Sequence, residues 1–267
     1  MSQLSSITSR EYKLILNSSR FKQREEGSKL FWDLVEFLVK SNYGKIEDGK
    51  SSEDWATEKR TTWYLDTPTL NLKANDFSLR VREEEGEYKV TLKYRSSEQD
   101  LSAVQDVSST SKDSKPKFEE DIVPPLESKF SRSNSIEYSQ LPNLETLSDL
   151  VAIFPSLDKL SIPASTSIKR VNDFTAHEVC LKVTKRIKFT EKSPKVKACF
   201  SFWYLLGNDD EYPLISEFSF DYDIPENISE DFQEFIKAAN LFFANLQKFP
   251  DWLSSGNSTK TSFAFAS

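Results

Sequence analysis

Alternation with period two runs through much of this chain, and it marks half-buried strands. In FSLRVRE, Phe77, Leu79 and Val81 point one way, while Ser78, Arg80 and Arg82 point the other. EYKVTLKYR sets Tyr88, Val90, Leu92 and Tyr94 against Lys89, Thr91, Lys93 and Arg95. Glu85-Gly86-Glu87 between these runs reads as a hairpin turn. REYKLIL sets Tyr12, Leu14 and Leu16 against Glu11, Lys13 and Ile15. HEVCLKVTKRIKF opposes Val179, Leu181, Val183 and Ile187 to Glu178, Lys182, Thr184 and Arg186, and SEFSFDY opposes Phe218, Phe220 and Tyr222 to Glu217, Ser219 and Asp221. TTWYLDT, TSIKRVNDF and VKACFSFWYLL are further strand candidates.

Helical spacing appears in three places. One helix is expected near 28–41, with Leu30, Phe31, Leu34, Val35 and Leu38 on one face and Ser28 as its cap. A second is expected near 143–153, stopped before Pro155, and a third over about 228–248, capped by Asn227. Strands interspersed with helices, mostly antiparallel, give an α+β class. Two polar stretches, 96–117 and 124–142, read as flexible insertions in a single domain spanning 1–267.

GKIEDGKS, from Gly44 to Ser51, matches the phosphate-loop pattern letter for letter. Its context opposes that reading. A phosphate loop follows a strand and opens a helix, whereas this stretch follows a helical pattern and precedes polar residues with no apolar face. Glu47 and Asp48 would repel phosphate, so the stretch reads as a polar turn.

Composition narrows the chemistry. The net charge of -7 argues against a general nucleic-acid or anionic-membrane binder. No apolar run approaches a membrane span and no apolar leader opens the chain, so a cytoplasmic location is expected. Cys180 and Cys199 lack metal-type spacing, and the one histidine, His177, reads as structural. The six glycines include no dinucleotide fingerprint. Any chemistry then rests on carboxylates, Lys and Arg. Those charges line one face of the strands, which is compatible with an open sheet with a wet face or with a barrel whose charged face lines a tunnel.

The run YLDTPTLNLKANDFSLRVREEEGEYKVTLKYR, residues 64–95, carries Tyr64, Asp66, Thr67, Leu79, Arg80, Arg82, Thr91 and Lys93 in an order that resembles the CYTH family of triphosphate tunnel metalloenzymes. The early SREYK and the late EFSFD and STKTSFAF resemble that family's first, late acidic and last strands. The resemblance implies a closed eight-stranded antiparallel β-barrel with surrounding helices. It also implies binding and hydrolysis of a small triphosphate compound with Mg2+ or Mn2+. Glu11, Lys13, Arg80, Arg82 and Lys93 would be catalytic. Lys13, Arg80, Arg82, Lys93, Arg170, Lys182, Arg186 and Lys260 would bind substrate, and Glu11, Glu217 and Asp221 would face the metal. The chemistry suits these types: Arg grips phosphate oxygens as a planar fork, and carboxylates hold hard cations.

The departures from the family pattern are specific. Ser9 and Ser219 stand where carboxylates are expected, Lys169 and Arg170 are adjacent so that only one can face inward, and EVCLKVTKR lacks the expected acid. A thinner carboxylate set predicts that phosphate binding survives better than hydrolysis. The alternative reading is therefore a non-catalytic phosphate or polyphosphate sensor or adaptor.

Overall fold

The computed structural model describes residues 6–42, 44–49, 51–205, 212–256 and 259–266. In chain order its elements are β1 (Ser9–Leu16), α1 (Arg24–Ser41), β2 (Lys45–Glu47), β3 (Trp55–Asp66), α2 (Asn71–Ala74), β4 (Phe77–Glu84), β5 (Glu87–Ser96), α3 (Gln99–Val104) and β6 (Lys115–Val123). There follow β7 (Glu127–Tyr138), α4 (Leu147–Ile153), β8 (Lys169–Arg170), β9 (Ala176–Val183), β10 (Arg186–Lys188), β11 (Lys197–Leu205), β12 (Ile215–Asp223), α5 (Glu230–Leu246) and α6 (Lys260–Ala266).

The main sheet runs β4-β5-β7-β6-β1-β12-β11-β9-β3 and closes where β3 pairs with β4, making a barrel of nine strands with β8 outside it. The alternating patterns pack as their periodicity requires, with apolar faces turned outward. Tyr12, Leu14, Phe200, Phe218 and Phe220 lie under α1 and α5 in one core. Leu79, Val81, Val90 and Leu92 form a second with Leu147, Leu150 and Phe154. Charges are left facing the lumen. The β4–β5 hairpin turns on Glu85 and Gly86, both at positive φ (53° and 85°), as a two-residue turn with matching twist demands.

Nine strands replace the expected eight, and the difference has a physical source. An odd ring cannot alternate direction throughout, so one junction must be parallel, and it is β1–β6. The extra strands arise within the two polar stretches expected to be loops: β6 begins in the first and β7 lies in the second. β7 presents Ser131, Ser133 and Ser135 on its lumen side, across from Arg95, Lys93 and Thr91. A strand with small polar residues on its inner face carries no hydrophobic alternation.

Conversely, TSIKRVNDF yields only the two-residue β8 before a 3-10 turn at Val171–Asp173, and the last run read as a strand, from Lys260 on, forms helix α6 instead. The caps also differ from expectation. α1 starts at Arg24 with Ser28 buried inside it, and α5 is capped by Ser229, whose hydroxyl accepts from the Phe232 N–H. Gly44 precedes the short strand β2, not a helix, and Lys50 lies outside the described residues.

Candidate functional site: a charged lumen

Two ion-pair clusters occupy the tunnel. The first centres on Glu178 of β9, which is fully buried. Arg60 of β3 approaches its carboxylate at 2.6 Å, Arg82 of β4 at 3.6 Å and Lys260 of α6 at 3.2 Å. Ser201 and Thr62 donate hydroxyl hydrogen bonds to it at 2.6 and 3.3 Å. Lys260 also reaches Glu217 at 2.8 Å. Register brings these together: Arg60 stands opposite Glu178 in β3–β9, and Ser201 opposite Glu217 in β11–β12.

The second cluster centres on Asp121 of β6, buried with Lys13 at 2.9 Å, Lys93 at 3.8 Å and Arg95 at 2.5 Å. Lys13 also touches Glu11 at 3.0 Å, and Lys93 lies 3.8 Å from Glu119. Lys93 and Arg95 belong to β5, two strands away from Asp121. They reach it over the short serines of β7.

The electrostatics follow from burial against partners. Burial favours the neutral form of Asp121 and Glu178, yet the surrounding cations prevail and hold both carboxyls below their usual range. Burial opposes the charge of Lys13 and Lys260 as well, but Asp121 and Glu11 for the one, and Glu217 and Glu178 for the other, raise their pKa values. Two cations are under-compensated. Burial pushes Lys93 down to about 8 despite Asp121, and burial with the repulsion of Arg80 brings Arg82 to about 10 despite Glu178. The Nε atoms of Arg80, Arg82 and Arg95 are buried and make no hydrogen bond within the protein. Buried donors of this kind want an acceptor.

The lumen thus gathers Glu11, Lys13, Arg80, Arg82, Lys93, Glu217 and Lys260 from the sequence expectation. Asp221 and Lys182 share the inward face but pair outside the two clusters, and Arg170 and Arg186 lie off the barrel. Asp221, opposite Glu11 in the β1–β12 register, pairs with Lys197 at 3.5 Å, and burial raises its carboxyl pKa. Lys182, on the lumen side of β9, is exposed and paired with Glu58. Arg170 is exposed on β8, hydrogen-bonded to Thr175 and stacked on Trp63. Arg186 is exposed on β10, in the separate two-stranded sheet with β2. The basic segment around β10 is largely neutralised: Lys185 pairs with Glu36 and Asp54, Lys188 with Glu47, and Lys192 with Asp231.

Sequence reasoning missed Arg60, Glu119 and Asp121 and undervalued Glu178. EVCLKVTKR does bring one carboxylate into the lumen, that of Glu178. Glu119 and Asp121 were readable in KFEEDIV as the alternate positions to Phe118, Glu120 and Ile122. Arg60 lies just before the stretch read as a strand, which opens at Thr61, whereas β3 begins at Trp55.

The donors available to a metal are hard oxygens. Glu11, Glu217 and Asp221 project from adjacent strands, with Lys13 opposite Ser219 between them in the register. No ready-made group of three or more ligands exists among the described residues. That set fits a magnesium-type ion, which takes one or two protein carboxylates and completes its shell with phosphate oxygens and water.

Comparison with known proteins bears on the family and the fold. The CYTH domain family model matches residues 34–171. Among solved structures, the fold is similar to Hippeastrum HpAC1, described as having a dominant triphosphatase activity, at 12% identity over 97% of this chain and 95% of that one, with a TM-score of 0.50. A candidate adenylate cyclase from Bacillus halodurans is similar at 17% identity over 95% of both chains, with a TM-score of 0.40. No curated protein matches the chain. No helix among the described residues is long and apolar enough to cross a membrane.

Proposed function

The chain belongs to the CYTH domain family, whose tunnel domains bind triphosphate substrates, and on that premise we propose that this lumen binds a linear triphosphate and hydrolyses it with Mg2+ or Mn2+. One observation carries the reading: Arg80, Arg82 and Arg95 turn buried, unpartnered Nε donors into a lumen also lined by Lys13, Lys93 and Lys260. Phosphate oxygens satisfy such donors with charge-assisted, forked hydrogen bonds, which are stronger than neutral ones.

In this reading the arginines and lysines align the phosphate chain and neutralise charge on its terminal group as water attacks in line. The P–O bond to the leaving diphosphate then breaks. Glu11, with Glu217 and Asp221, would hold the cation, which supplies Lewis-acid polarisation of phosphate and water when bound.

A second reading rests on Ser9 and Ser219. Ser9 donates to Glu119 at 3.3 Å instead of supplying a carboxylate, and Ser219 faces Lys13. A protein with this thinner acidic set would bind phosphate compounds without turnover, as a sensor or adaptor. Phosphate release from tripolyphosphate, thiamine triphosphate and ATP, each with Mg2+ and with Mn2+, decides between the two when run beside calorimetric binding. Release that is lost in Arg80→Ala supports hydrolysis, and binding without release supports the sensor. Absence of both overturns the triphosphate reading.

A further inference from the structure

The cations best placed to take phosphate are already held by the protein's own acids. Glu178 gathers Arg60, Arg82 and Lys260 from three separate elements, and Asp121 gathers Lys13, Lys93 and Arg95. In the strand ring β9 and β6 lie on opposite sides, so the two carboxylates face the lumen from opposing walls. Each is almost completely buried, which is costly for a charge unless its partners compensate it. Each also has the anionic charge and the multiple acceptor lone pairs that a phosphate group would offer to the same cations.

Resting on the triphosphate reading, we propose that Glu178 and Asp121 are positioning residues that stand in for phosphate in the free tunnel. They keep the clamp cations gathered and inward-pointing, and they yield them when the polyanion enters. With neither a charge nor a hydrogen-bond acceptor at these two positions, the mutual repulsion of Arg80, Arg82 and Arg60 on one wall, and of Lys13, Lys93 and Arg95 on the other, would drive these side chains apart; an amide in place of the carboxylate keeps the acceptor. The same acids compete with the ligand, so binding energy is spent on displacing them.

This role carries a sign that a purely structural ion pair does not. Neutralising the carboxylate while keeping its shape removes the competitor, so triphosphate should bind more tightly, not more weakly. The tests are Glu178→Gln and Asp121→Asn in the full chain, with tripolyphosphate binding measured by titration calorimetry at low and high salt. Circular dichroism and thermal melts verify folding. Each folded variant is expected to bind about tenfold more tightly at low salt, with the gain shrinking at high salt as screening grows.

A folded variant that binds equally or more weakly overturns the inference, even where wild type binds well. If neither the wild type nor the variants bind, the triphosphate reading falls and this inference with it. One measurement needs no variant: carboxylate carbon NMR shifts of the wild type during tripolyphosphate addition. Signals of Glu178 and Asp121 should move as their cations are released, and signals that stay fixed while ligand binds overturn the proposal.

Discussion

Replacing Lys93 with methionine removes one lumen charge while keeping a side chain of similar length. Burial pushes the Lys93 pKa down to about 8; Asp121 pulls it the other way, and Arg95 and Lys13 add repulsion. The ordinary lysine value of 10.5 describes the unfolded chain. Keeping the side chain protonated in the fold therefore costs about 3 kcal/mol, at about 1.4 kcal/mol per pKa unit. The unfolded chain binds the extra proton between pH 8 and 10.5, so stability rises with pH across that window, and the full cost is present below pH 8. A triphosphate beside Lys93 supplies negative charge and restores a higher pKa, so ligand binding near pH 8 should draw about half a proton from solution. Calorimetric titration with tripolyphosphate in buffers of different ionisation enthalpy measures that proton as the slope of the apparent enthalpy. The ligand's own protonation is common to wild type and Lys93→Met, so the difference between their slopes isolates the lysine. A difference of about 0.5 at pH 8, growing toward pH 9, is the expected outcome. Coincident slopes for two proteins that both bind would refute the placement of Lys93 against the phosphates.

Arg82→Ala should weaken tripolyphosphate binding about ten- to hundredfold, the size of one or two lost charge-assisted hydrogen bonds; unchanged calorimetric affinity would remove Arg82 from the clamp. Ser133→Leu places a bulky apolar group on the inner face of β7, opposite Lys93 and Lys117, so binding should fall at least about tenfold because the leucine fills lumen space beside Lys93 that the polyanion needs, with the barrel still folded by circular dichroism. Gly27→Ala brings a Cβ within 2.3 Å of the Arg20 carbonyl oxygen; this overpacks the turn leading into α1 and should destabilise by about 1–3 kcal/mol in urea melts without altering phosphate affinity.

Legibility followed side-chain contrast. β4 and β5 announced themselves because large apolar residues alternate with Arg and Lys, and that contrast identified Arg80, Arg82 and Lys93 together with the direction they face. β7 was hidden because its inner positions are serines and its outer ones include Arg132 and Asn134, leaving few large apolar residues to mark the period. The loss of β7 concealed the reason Asp121 matters, since β7 is what separates β5 from β6. Lys260 shows the opposite case. Its element was misread as a strand, yet α6 delivers its ammonium to Glu178 and Glu217 all the same. Helical periodicity is hard to see in a segment of seven residues that mixes small, polar and aromatic side chains. Arg170 and Arg186 failed because β8 and β10 never join the ring, so inward alternation has no meaning there.

The lumen changes character along its length, and that change explains why α6 sits where it does. Following the inward positions of β1, β12, β11 and β3 in one direction, Lys13 gives way to Ile15, Glu217 to Ile215, Ser201 to Trp203 and Thr62 to Tyr64. At that end α6 packs Ala264 and Phe265 against Tyr64, Trp203 and Ile215, and the Tyr64 hydroxyl lies 3.1 Å from that of Thr261. An apolar rim left open would expose a contiguous hydrophobic patch, so a covering helix lowers that cost. In the other direction the inward rows pass Cys180, Cys199 and Ser219 and end in charges, Glu58 and Lys182 on one side and Lys197 and Asp221 on the other. A polyanion therefore meets charged groups rather than an apolar rim at that end, and Lys260, at the first turn of α6, is the cation at the boundary between the two regions. The same helix thus packs over the apolar end and supplies Lys260 to the Glu178 cluster.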